Sequence, residues 1–85
     1  MDVEERINAV ARVLEQITED TSVPRNIRRA AKEAYDWLQD KSHTPGVRAS
    51  SAVNILDEIS EDPNMPVHTR TMIWNIVSEL EVIKD

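Results

Sequence analysis

Shifted along itself by 42 positions, the chain matches itself: Leu14, Ile17, Glu19, Asp20, Pro24, Arg28 and Leu38 meet Leu56, Ile59, Glu61, Asp62, Pro66, Arg70 and Leu80. Seven identities across residues 14–38 exceed the ~1–2 that chance gives over such a window, so the chain is built from two copies of one unit. Val13/Ile55, Glu15/Asp57, Gln16/Glu58, Thr18/Ser60 and Val23/Met65 add similar pairs. The shared element reads Leu-acid-x-Ile-(Thr/Ser)-Glu-Asp-x-x-(Val/Met)-Pro-x-x-x-Arg. Its first half has helical periodicity. Its second half is a polar turn ending at a proline, which suits the first turn of a helix because the N–H it lacks would be unpaired there anyway. Each unit is therefore helix, tight turn, helix, and the fold is all-α: four helices as two tandem hairpins, residues 1–42 and residues 43–85, in one domain.

Periodicity places the four helices. The first runs from Asp2, with an Asp2-x-x-Glu5 capping box, to about Glu19, with Val3, Ile7, Val10, Leu14 and Ile17 as an apolar stripe. The second spans about Pro24 to Lys41, with Ile27, Ala31, Ala34 and Leu38 inward. Thr44 and Pro45 open the third as N-cap and first helical residue, and it runs to about Glu61, burying Ala52, Ile55, Leu56 and Ile59. The fourth extends from Pro66 to near Lys84. A single glycine, Gly46, leaves a hairpin-rich β fold almost nothing to turn on.

Composition narrows the functional classes. With no cysteine there are no disulfides or thiolate metal sites, and a reducing, cytoplasmic setting is expected. No stretch of apolar residues is long enough to span a membrane, and the acidic N-terminus does not resemble a secretory signal. A net charge of −6 works against nonspecific binding to nucleic acid or anionic lipid. No Gly-x-Ser-x-Gly or His-Glu-x-x-His pattern occurs, and neither His43 nor His68 has ligand spacing with a partner. We therefore expect no catalytic residues, no metal and no cofactor.

Three residue groups carry possible contacts. The acids Glu15, Glu19 and Asp20 recur as Asp57, Glu61 and Asp62. A divalent cation could use them, but duplication with the fold favours a structural role: Asp20 and Asp62 accepting from the following helix and pairing with Arg28 and Arg70. Arg25, Arg28, Arg29 and Lys32 gather on one side of the second helix as a candidate nucleic-acid contact, although Asp36 continues the same sector. In the fourth helix, Met72, Trp74 and Val82 fall where the second has Ala30, Lys32 and Asp40. A helix apolar around much of its circumference is either central or covered by a partner. We expect Met72, Trp74 and Val82 to form an interface, for a homodimer or another protein, with Trp37 as a packing residue.

The stretch from Glu19 to Ala31, an acidic turn followed by Pro24 and Arg28, resembles a HEAT repeat. That resemblance implies structural roles for Asp20, Pro24, Arg28, Asp62, Pro66 and Arg70, which would tie each turn to its helices. In its length and its paired Glu-Asp-x-x-(Val/Met)-Pro element the chain is also similar to uncharacterised protein family 0147, small acidic helical proteins of archaea. This second resemblance implies no particular activity.

Overall fold

The computed structural model describes residues 2–85. Its four helices are α1 (Val3–Glu19), α2 (Arg25–Gln39), α3 (Pro45–Ile59) and α4 (Val67–Glu81). Each begins where a local signal places it. The Asp2 carboxylate accepts the Glu5 N–H at 2.8 Å, and the Thr44 hydroxyl accepts from Val47 with Pro45 behind it. Pro24 and Pro66 sit one residue before the helix, at the N-cap. Their carbonyls accept the first helical bonds, from the N–H groups of Arg28 and Arg70, both at 3.0 Å.

One turn is used three times. Asp20, Asp40 and Asp62 each donate their N–H to the carbonyl three residues back, of Ile17, Trp37 and Ile59. Each then accepts from the N–H three residues ahead, of Val23, His43 and Met65. Their Oδ1 atoms take the N–H of Ser22, Ser42 and Asn64 at 2.9, 3.0 and 2.8 Å, a side-chain mimic of a backbone turn. Four residues after each aspartate stands Pro24, Thr44 or Pro66, and eight residues after it stands Arg28, Arg48 or Arg70. The second helix therefore stops at Gln39 rather than Lys41, because Asp40 already begins a turn of the same kind.

The helices form a closed ring. α1 packs on α2, α2 on α3, α3 on α4 and α4 on α1, with α1 and α3 touching across the centre; α2 and α4 do not meet. Two hairpins stacked by translation, as in a solenoid, would set α2 beside α4. Here the units are related by a rotation, and the result is a short antiparallel bundle. Two matched bonds record that pseudo-two-fold: Asn26 Nδ2 donates to Asp62 Oδ2 at 2.6 Å, and His68 Nε2 lies 3.2 Å from Asp20 Oδ2. Asn26 and His68 are themselves 42 positions apart, so each turn is held by the other hairpin.

The interior is one cluster in which Ile7, Leu14, Ile27, Ala34, Leu38, Ala52 and Leu56 are fully covered. Ala31, Ala34, Ala49 and Ala52, all buried, let α2 and α3 approach closely. The pseudo-equivalent α4–α1 seam carries the larger side chains of Ile73, Ile76, Ile7 and Val10, which hold its helices further apart. At the other end of the bundle the Asp85 carboxylate accepts from Thr44 Oγ1 at 2.7 Å and Gly46 N at 2.8 Å, capping α3. A Cβ on Gly46 would fall 2.6 Å from Asp85 Cγ, so this glycine makes room for the cap.

Candidate interaction surfaces

α4 buries only Thr69, Ile73, Ile76 and Leu80, so it is not the central helix of the monomer. At ~100° per residue, Trp74, Val67, Ser78, Thr71 and Val82 lie in succession within about 80° on the side away from that stripe. All five are exposed: Val67 at 80 %, Trp74 at 60 % and Val82 at 62 %. The strip carries no charge; Arg70 and Glu81 border one edge, His68 and Glu79 the other.

Of the three residues expected to form an interface, the structure brings Trp74 and Val82 together and sets Met72 apart. Met72 is half-buried against the core on the far side of α4. There it lines an apolar groove of 260 Å³ with Ala9, Val10, Val13 and Ile76, roofed at one end by the Arg6–Glu79 ion pair. Val67 takes its place on the outer strip. The signal for it in the sequence is its spacing, seven positions before Trp74 and so two helical turns away on the same face.

The basic group on α2 divides. Arg25 and Arg29 are exposed. Arg28 is half-buried and donates Nε to the Val23 carbonyl at 3.0 Å, and Lys32 pairs with Asp36 at 2.6 Å. The four side chains therefore do not present one cationic stripe. Among the described residues, no group of three or more His, Cys, Asp or Glu is arranged to hold a metal ion, and no helix is long and apolar enough to cross a membrane. Trp37 is half-buried and packs against the His43 ring, their centroids 5.0 Å apart.

The turn residues act through different partners from those expected. Neither Asp20 nor Asp62 pairs with its arginine. Their carboxylates are satisfied within the turn and across the pseudo-two-fold, while the arginines end on backbone carbonyls of the turns and of the α3 C-cap. Arg70 donates to the carbonyls of Ser60 and Asp62. Arg48, which lies outside the 14–38 window of the self-match, is the most deeply buried ion, 2 % exposed. It donates Nε and Nη2 to the Leu38 carbonyl at 3.0 and 2.7 Å, and grips Glu4 with Nη1 and Nη2 at 2.9 and 3.1 Å.

These bonds hold the turn carboxylates in the ionised form. The Ser22 hydroxyl first, then His68 and the Ser22 N–H, lower Asp20 to about 2. The Asn64 N–H, then Asn26, lower Asp62; Ser42 lowers Asp40; Thr44, then Gly46, lower Asp85. A carboxylate whose folded pKa is depressed adds stability above its unfolded value, and that contribution is lost as pH falls through the folded one. Melting temperature should therefore hold steady from pH 7 to about 4, then fall between there and about 2, the window set by Asp20. Circular dichroism melts across that range check this: Asp20→Asn should flatten the acid limb, and an unchanged slope would remove Asp20 as a cause.

The comparisons with known proteins agree with this geometry. The family model described as Uncharacterised protein family (UPF0147) matches residues 1–83. A UPF0147 protein of Pyrococcus abyssi is 61 % identical over 84 residues, covering 98 % of each chain. One from Sulfurisphaera tokodaii is 58 % identical over 84 residues, covering 99 % of this chain and 94 % of the relative. Among solved structures, the protein of unknown function MMP1188 superposes with a TM-score of 0.91 at 54 % identity, over 94 % of this chain and 91 % of that one. A UPF0147 protein from Thermoplasma acidophilum does so with a TM-score of 0.87 at 31 % identity, over 96 % and 98 %. With a family match over nearly its whole length and close relatives of the same length and fold, the chain belongs to the UPF0147 family.

Proposed function

We propose that this chain is a non-catalytic interaction module that presents the outer face of α4 and pairs through it with a second copy of itself. The observation that carries the reading is the uncharged strip in which Val67 and Trp74 stand exposed on one side of α4 and Val82, at its C-cap, continues that side. Isolated exposed hydrophobes are ordinary; three aligned on one face around a tryptophan mark a contact surface. The cysteine-free composition suits a cytoplasmic setting. Burying such side chains contributes ~1.5–3 kcal/mol each, against an association cost of ~4–15 kcal/mol. The resulting dimer is therefore weak and depends on concentration.

Trp74→Glu tests this. Light scattering on a sizing column, over a concentration series, should show the parent moving toward twice the monomer mass while the variant stays monomeric. The variant's melting temperature should be almost unchanged, because substitutions at exposed sites cost within about 0.5 kcal/mol. A parent that stays monomeric throughout, or a dimer that survives Trp74→Glu, refutes the proposal.

A further inference from the structure

The outer face of α4 is complementary to itself when run backwards. About the midpoint between Trp74 and Asn75, Val67 and Val82 are equidistant, and so are Thr71 and Ser78. The charges bordering the strip also reverse in sign from one end to the other, each pair offset by one residue from that midpoint. One edge carries Arg70 toward the N-terminus and Glu81 toward the C-terminus; the other carries His68 and Glu79 in the same order. Two antiparallel helices meeting face to face about a two-fold axis keep like edges together in opposite directions. That arrangement sets Arg70 against Glu81 of the second copy and His68 against Glu79 of the second copy, with valine on valine at each end. A parallel pair would bring opposite edges together in the same direction. Arg70 would then meet His68 of the second copy and Glu81 would meet Glu79 of the second copy, and the repulsion between carboxylates disfavours that pairing.

From this we infer that the partner of α4 is α4 of a second copy, packed antiparallel, with the two Trp74 side chains at the centre and Val67 of each copy over Val82 of the other. The inference rests on the α4 reading above and adds the partner's orientation and register. Glu79 already pairs with Arg6 and His68 with Asp20, and Arg70 is held by carbonyls. The edges therefore fix orientation more than they add affinity. One helix pair buries less than the ~1,200–2,000 Å² of a standard interface, so the dimer should form only at high protein concentration.

The chain has no cysteine, so introduced ones report contacts without background. Val67→Cys and Val82→Cys change exposed side chains, and the two sites lie about 22 Å apart along the helix. Each variant alone, oxidised above the dimerisation concentration, should give little disulfide dimer. An equimolar mixture should give a mixed dimer, identified by mass, in at least ~5-fold higher yield. Glu81→Lys, which sets like charge against Arg70 of the second copy, should raise the dissociation constant ~3–10-fold. Homodisulfides from Val67→Cys alone would mean parallel pairing and overturn the inference. The absence of disulfides in a dimer that Trp74→Glu still abolishes would overturn the register but leave α4 as the surface. A dimer indifferent to Trp74→Glu, or no dimer at all, would remove both.

Discussion

Arg48→Met is expected to lower the melting temperature by ~10–25 °C, from a loss of ~2–4 kcal/mol in a domain of this size. Methionine keeps the volume and the apolar stem but removes every donor. The Leu38 carbonyl, an unpaired group at the C-terminal end of α2, then loses both of its bonds to Arg48 in a site closed to water. The Glu4 half of the site matters less, because that carboxylate is 44 % exposed and water can take over. Glu4→Gln should therefore cost less than Arg48→Met, because the amide oxygen still accepts from the guanidinium. Arg48→Lys should fall between: a compact ammonium cannot reach both the carbonyl and the carboxylate as the planar guanidinium does. Thermal melts of the three variants check the order. If Arg48→Met melts within a few degrees of the parent, the buried guanidinium is not what holds α1, α2 and α3 together at this end.

Arg48 also shows how far the sequence could be read. The four helices and the stripes of Ile7, Leu14, Ile27 and Leu38 follow from local chemistry and helical periodicity, and the structure has them in place. A self-match at a shift of 42 cannot distinguish a translation from a rotation, since both repeat the same residues. Only contacts between the hairpins, Asn26 to Asp62 and His68 to Asp20, separate a closed bundle from an open stack. The same shift hid the middle turn. Asp40 maps onto Val82, so the Asp40–Arg48 copy has no counterpart at that distance, although Asp-x-(Ser/Asn)-x-(Pro/Thr)-x-x-x-Arg runs through all three connections.

The expected aspartate–arginine pairs failed for a physical reason. An aspartate at a turn finds an N–H two residues ahead without moving, whereas helix ends leave carbonyls that a long guanidinium can reach. On α4, an apolar circumference was legible, but not its division into two sides. Ring closure seats Met72 in the α4–α1 seam and turns Trp74 outward, and that depends on which helices are neighbours.

Unequal packing around the ring leads to the other large effect. Leu14 and Leu56 are equivalent in the repeat and both fully buried, yet truncating them should not cost the same. Leu→Ala in a core removes the transfer energy of the lost atoms and leaves a cavity, for ~2.7–5 kcal/mol depending on how far the surroundings close in. Leu56 stands in the half of the ring where α2 and α3 meet through Ala31, Ala34, Ala49 and Ala52. Those helices are already near contact and have small side chains with few rotamers to offer, so the cavity persists and Leu56→Ala should lie near the top of the range. Leu14 stands on α1, whose seam with α4 is wider and flanked by Val13, Met72 and the 260 Å³ groove. Methionine and valine there can shift inward, so Leu14→Ala should lie nearer the bottom, ~1 kcal/mol less costly. Urea unfolding of both variants under identical conditions gives the difference directly. Equal losses, or a greater loss for Leu14→Ala, would mean that the α4–α1 seam is as rigid as its pseudo-equivalent. The groove beside it would then be fixed in shape rather than able to yield.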